Sequence, residues 1–326
     1  MLPSLSDILS SARVVSLPLR QRFRGIDHRE VMLFEGPAGW TEFSPFLDYG
    51  DAEASTWLAG AVDFGWQQAP ALFRSQIRVN ATLPAVEPAA VPKILDRFPG
   101  CRTVKVKVAE PGQVLADDVA RVNAVRRYLG PEGRIRLDAN GGWNVDEAEH
   151  GIHALAPFDL EYIEQPCASV AELAEIRTRV HYMGLPIAAD ESVRRVENPL
   201  EVAEAKAADL LVIKAQPLGG IRSALRIVDT AGLPVVISSA LETSIGISMG
   251  AHLAAAIPEL AYDCGLATVS LLAGDVVSDS LVANDGLIDV RRVQPDSLLL
   301  DASAASAERV QWWNVRLERC LTLLER

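Results

Sequence analysis

Five short apolar runs in the middle of the chain each end in a polar residue, and those residues keep a nearly constant beat. Asp138, Glu164, Asp190, Lys214 and Ser238 are separated by 26, 26, 24 and 24 residues. A strand, a loop, an amphipathic helix and a return loop take up about that length in a parallel βαβ unit. Eight runs read as strands, at 77–83, 103–109, 134–138, 160–164, 186–190, 210–214, 234–239 and 261–266. Helical patterning fills 114–129, 145–156, 169–182, 199–207, 219–230 and 244–257, with Pro and Gly at several boundaries. Eight such units suggest a closed parallel barrel, with an open doubly wound sheet as the alternative. The charges favour the barrel, because its strand C-termini carry chemistry while the opposite end carries stability.

The 326 residues suffice for one barrel with a smaller partner unit, and 49% hydrophobic residues supply a sizeable core. The expected division is a capping part at 1–76, a barrel at 77–274 and a second capping part at 275–326. "ARVVSLPLRQRFRG" and "REVMLFEGPAGWTEFSPF" read as antiparallel strands around a Gly-Pro turn, followed by a helix near 51–67. A closing helix carries Trp312 and Trp313, read as core anchors. A net charge of −12 argues against nucleic acid or an anionic membrane as partner. Cys101, Cys167, Cys264 and Cys320 form no C-x-x-C pair, and no secretory signal is evident, so they read as reduced thiols in a cytoplasmic protein. No apolar run approaches the ~20 residues of a membrane span.

The strand "TVKVKVA" places Val104, Val106 and Val108 on one face and Lys105 and Lys107 on the other. Asp138, Glu164 and Asp190 end the next three strands, and Lys214 ends the sixth, across the ring from the lysine pair. Three carboxylates without His or Cys nearby suit a hard cation such as Mg²⁺. Alternatively, each carboxylate could pair with a lysine.

"KVKV", "RLDANGGW", "YIEQP", "AADES", "LVIKAQPLGG" and "VISSALETSIGI" resemble, in order and spacing over residues 80–270, the muconate lactonizing subgroup of the enolase superfamily. "RQRFRG" and the short length further resemble the actinobacterial o-succinylbenzoate synthases. The resemblance implies a (β/α)7β barrel of TIM type with an α+β cap from both chain ends. It implies Mg²⁺, replaceable by Mn²⁺, on Asp138, Glu164 and Asp190, with Lys107 and Lys214 as the acid–base pair. The implied activity is dehydration of a small-molecule carboxylate in menaquinone biosynthesis. N-succinylamino acid racemases and dipeptide epimerases resemble the same constellation, and a Schiff-base aldolase using Lys214 would leave the carboxylates unexplained.

A free lysine is a poor base at neutral pH, so Lys105 beside Lys107 reads as a tuner that favours the neutral amine and as a contact for the substrate carboxylate. Arg20, Arg22 and Arg24 alternate in "LRQRFRG"; the first two could simply solubilise an edge strand. The resemblance places that loop over the barrel mouth, with Arg24 closing the site. Asn140 either points into the site or forms a turn. Gly219 and Gly220 read as permitting close passage near the substrate. Ser238 and Ser239 either bind a second carboxylate or cap the next helix. Glu191 reads as pointing away, in a strand, to support its neighbour. "DANGGWNVDEAE" lacks the central Gly of a calcium loop, and His150 and His153 read as solvated.

Overall fold

The structure, a computed structural model, describes residues 2–194 and 198–325. Three antiparallel strands open it: β1 (Arg13–Phe23), β2 (Ile26–Gly36) and β3 (Gly39–Phe43). The helix Asp51–Trp66 follows and packs on β3. β4 (Gln76–Arg78) leads to the barrel strands β5 (Ala81–Leu83), β6 (Thr103–Lys107), β7 (Arg134–Asp138), β8 (Leu160–Glu164), β9 (Ile187–Ala189), β10 (Leu210–Ile213) and β11 (Val235–Ile237). These seven form one parallel sheet in sequential order. The fold is therefore the expected (β/α)7β, TIM-type architecture rather than an open sheet.

The two ends of the expected strand set differ from the sequence reading. The run 77–83 is broken: β4 pairs antiparallel with β12 (Leu287–Asp289), and only β5 enters the barrel. The run 261–266 forms no regular strand. It closes the ring through two single bridges, Cys264 to Val79 and Gly265 to Ser238. Backbone pairing explains both: β4 gives its ladder to β12, while Cys264 and Gly265 bond to Arg78, Asn80 and Ile237, so the seam closes by short exchanges rather than one continuous ladder. The expected helix 199–207 is only the turn Glu201–Glu204.

The pleat sorts the side chains. Val104 and Val106 pack outward into the main core between strands and helices. Tyr162, Ala188, Leu210, Val212 and Val236 form a separate, smaller core, and the same alternation puts Lys105, Asp138 and Glu164 on the inner face. Register then sets the level: Lys107 pairs with Asp138, Asp138 with Glu164, and Glu164 with Ala188, two residues before Asp190.

Both chain ends build the cap. The helix Ala307–Leu324 packs on Asp51–Trp66, with Trp313 fully buried edge-on to Phe43 and donating to Glu30 at 2.9 Å. Trp312 is partly buried against the same core. Glu42 on β3 reaches the barrel and accepts from the Thr243 and Gly246 N–H groups, at the start of the helix Ser244–Ala255. All four cysteines are free thiols. Among the described residues, no helix is long and apolar enough to cross a membrane.

Candidate active site

The side chains at the C-terminal ends of the strands form a compact ionic cluster. Lys105 Nζ stands 2.6 Å from Glu164 Oε1 and 2.7 Å from Asp138 Oδ2. Lys107 Nζ donates to Asp138 Oδ2 at 2.6 Å and to Asn140 Oδ1 at 2.5 Å. Lys214 Nζ donates to Asp190 Oδ2 at 2.5 Å. All three carboxylates are almost completely buried. The pairing of carboxylates with lysines, one of the two sequence readings, is thus the arrangement formed here.

Burial alone would raise every one of these carboxyl groups. For Asp138 the ammonium groups of Lys105 and Lys107 outweigh it and hold the group well below the usual carboxylate range. For Asp190, Lys214 and Arg194 do the same. Glu164 goes the other way, pushed up by burial and by the charge of Asp138 beside it. Lys105 is desolvated, yet Asp138 and Glu164 keep it firmly protonated. It is therefore a fixed positive charge one strand pleat away from Lys107.

Glu164 Oε2 is buried and accepts no hydrogen bond from any described residue. A buried carboxylate oxygen without a donor, beside two further carboxylates, is an arrangement that an oxygen-seeking cation would complete. As the side chains stand, no set of three or more acidic, His or Cys residues among those described is disposed to hold a metal. The ammonium groups cover the oxygens, so a cation would have to displace them. The residues fit such a group in donor chemistry and number.

A hollow of about 50 Å³ lies against this cluster, lined by Lys105, Lys107, Lys214, Ser238, Ser239 and Thr268 among others. It opens past Phe23, Arg24 and Asn140 into a mouth of about 620 Å³ that also touches Arg22. Arg24 lies in the turn after β1 at φ 51°, its guanidinium 4.0 Å from the centre of the Phe46 ring. Asn140 does both things considered for it: it sits in a left-handed turn (φ 47°) and bridges Lys107 to Glu191, donating to Glu191 Oε1 at 3.1 Å. Ser239 Oγ donates to the Gly265 carbonyl at 2.5 Å. The following helix is capped by Thr243 instead, which removes the capping explanation for both serines.

Two readings need correction. Gly219 and Gly220 do not line the hollow. Gly220 sits against the cap helix, where a Cβ on Gly60 would come within 3.1 Å of the Gly220 nitrogen, and Gly219 faces Ser223 and Thr56. Their role is close contact between cap and barrel. Glu191 begins the helical turn Glu191–Arg194 rather than continuing a strand, and that turn brings its side chain back to the mouth.

Sequence reasoning also missed Arg194, Gln165 and Thr82. Arg194 donates to Asp190 Oδ1 at 3.0 Å, to Glu191 at 2.8 Å and to the Tyr49 hydroxyl at 3.1 Å, so it ties the cap to a strand-end carboxylate. Gln165 Oε1 accepts from the Asp190 and Ser192 N–H groups and fixes that turn. Thr82 could have been found from the alternation within "ATL", which leaves one polar side chain facing inward.

Comparison with known proteins now decides the family. Residues 94–295 match the family described as Enolase C-terminal domain-like, and residues 14–65 match Enolase N-terminal domain-like. An o-succinylbenzoate synthase of Mycobacterium ulcerans is 51% identical over 324 residues, covering 99% of this chain and 97% of that protein. The o-succinylbenzoate synthase of Mycolicibacterium smegmatis is 51% identical, covering 99% and 98%. The chain belongs to the o-succinylbenzoate synthases of the enolase superfamily. Solved structures of that superfamily share its fold: muconate lactonizing enzyme from Pseudomonas putida superposes with a TM-score of 0.75 at 19% identity, covering 90% of this chain and 98% of that one. The L-Ala-D/L-Glu epimerase from Bacillus subtilis gives 0.73 at 24% identity, covering 87% and 96%. Enolase-superfamily membership generally implies a divalent metal, in keeping with the orphaned Glu164 oxygen.

Proposed function

We infer that this chain catalyses the syn-dehydration of 2-succinyl-6-hydroxy-2,4-cyclohexadiene-1-carboxylate to 2-succinylbenzoate, in cytoplasmic menaquinone biosynthesis. The observation that carries this is the 51% identity with o-succinylbenzoate synthases across 99% of the chain.

In this reading Lys107 is the base. It leaves its ion pair with Asp138, accepts the proton α to the substrate carboxylate, and returns it to the departing hydroxyl on the same face. The C–H and C–O bonds break, water leaves, and the ring becomes aromatic. Lys214 supplies positive charge on the opposite side, where negative charge develops. Asp138, Glu164 and Asp190 would hold Mg²⁺, or Mn²⁺ in its place, which when bound stabilises the doubly charged ene-diolate carboxylate. Arg24 and Phe23, which line both the inner hollow and its mouth, would close over the bound substrate. Ser238 and Ser239, which line the hollow, would meet the succinyl carboxylate in this reading.

The test is a direct assay with the cyclohexadiene substrate, with chelator and then with Mg²⁺ restored. Activity should vanish and return. A parallel incubation in D₂O with one enantiomer of an N-succinylamino acid should show negligible racemisation. Racemisation as efficient as dehydration would overturn the assignment, and full activity in metal-stripped protein would remove the metal from it.

A further inference from the structure

A second hollow, of about 510 Å³, lies behind the catalytic one, between the cap and the segment that closes the barrel. Arg20 on β1 and Arg97, just after the helix Val91–Leu95, both line it, with Ser270, Val269, Leu272 and Val282. Arg20 is exposed and Arg97 half-buried; neither guanidinium forms a hydrogen bond or ion pair with any described residue, and Arg97 Nη1 itself is buried without an acceptor. Asp275, the carboxylate on this wall, is already engaged by the Ser244 hydroxyl and the Ser244 and Val276 N–H groups. In a chain of net charge −12, carboxylates are abundant enough to pair with such arginines, yet none does. A buried donor without an acceptor costs free energy, and an acceptor brought by a ligand removes that cost.

We propose that this hollow is a binding site for a small organic anion, with a carboxylate or phosphate head between Arg20 and Arg97 and a short apolar body against Val269, Leu272 and Val282. Its size and its mixture of apolar wall with a few polar groups are those of small-molecule sites, and guanidinium forks match either head group. The site shares two walls with the catalytic hollow. The turn Thr268–Leu271 gives Thr268 to the catalytic side and Val269 and Ser270 to this one. Strand β1 presents Arg20 here and Phe23 there, and the turn that follows it carries Arg24 to the catalytic side. Between Pro18 and Phe23 it leaves its pairing with β2 and is bridged to the closing segment at Leu19–Leu272. An occupant therefore grips the strand that carries the lid.

Calorimetric titration of the metal-loaded enzyme with benzoate, inorganic phosphate and benzyl alcohol tests this. Benzoate or phosphate should bind saturably, and the stronger of the two identifies the head group. Benzyl alcohol, which keeps the ring and lacks the charge, should not bind. Arg97→Gln should weaken the anion about tenfold or more, while kcat/KM without added anion stays within about twofold of wild type. Arg20→Gln provides a second, independent variant with the same expectation. Equal affinity in wild type and both variants would assign any binding to the catalytic hollow and overturn the proposal. So would the absence of saturable binding of either anion at millimolar concentration.

Discussion

Toward the N-terminal end of the barrel strands, Arg136 is fully buried, donates to Glu161, Asn80 and the Asp263 carbonyl, and lies 4.9 Å from the centre of the Tyr162 ring. Two residues further along the same strand, Asp138 is equally buried, but its partners are the mobile ends of Lys105 and Lys107 beside an open hollow. The first charge is held partly by backbone and by rings that cannot leave. The second keeps one backbone donor, the Asn140 N–H at 3.0 Å, and is otherwise held by side chains that can exchange one partner for another. Both ends carry the desolvation cost of buried ions. Only at the C-terminal end does the arrangement leave that charge free to meet a ligand.

Substitutions at the two ends should therefore separate activity from stability. The largest effect is expected for Lys107→Ala, which should lower kcat by about 10³-fold or more, as loss of a general base does, with little change in melting temperature. Lys107→Arg should be equally inactive, since a guanidinium remains protonated; substantial turnover in either would assign the proton transfer elsewhere. Arg136→Met should do the opposite. Leaving Glu161 and the Asp263 carbonyl without their donor should cost about 3–5 kcal/mol of stability, measured by denaturant unfolding, while the folded fraction retains near-normal kcat. A catalytic defect without loss of stability would erase the contrast.

Arg24→Ala probes the lid without touching the ionic cluster. It should lower kcat/KM by about 10–100-fold, the scale of a charged hydrogen-bond donor of about 1.5–3 kcal/mol, and leave the melting temperature nearly unchanged. A large stability loss with normal kinetics would make Arg24 a cap residue only.

The smallest effect concerns Glu42, at the catalytic end but outside the hollow. Burial, and then the charge of Glu242, push it up from 4.5 to about 7, although Ser44, Thr243 and Arg29 counteract. A carboxyl raised in the folded state contributes its stability while protonated, fully below pH 4.5, and loses it as pH climbs through about 7. Glu42→Gln keeps an acceptor for Thr243 and Gly246, so its melting temperature relative to wild type should rise between pH 5 and pH 8. Parallel curves for the two proteins would show that Glu42 does not titrate in this range.

The barrel and its ionic cluster were legible because both follow from periodicity. Spacing of strand ends places Asp138, Glu164, Asp190 and Lys214 on one rim, and the pleat places Lys105 and Lys107 on one face. What periodicity cannot show is contact between distant segments. Arg194 acquires its role by reaching Tyr49 in the cap, and Glu191 by the helical turn that redirects it. Gly219 and Gly220 looked like substrate-side glycines because their neighbours in sequence are, whereas their neighbours in space belong to the cap helix. The seam failed for a related reason: β4 pairs with the distant β12, and the stretch around Cys264 bonds to Arg78, Asn80 and Ile237, all far from it in sequence.

The helix Ala307–Leu324 couples a distant part of the sequence to the mouth of the site. Its Arg316 donates to the carbonyls of Phe46 and Tyr49, and Phe46 is the ring on which Arg24 rests. Trp313 and Arg309 from the same helix hold Glu30 on β2. Every strand-end lysine and carboxylate of the candidate site lies before Thr268 in the sequence, whereas the helix that supports Phe46 beneath Arg24 lies after it. A change in that helix would therefore reach the mouth of the site through Phe46 without touching any strand-end lysine or carboxylate.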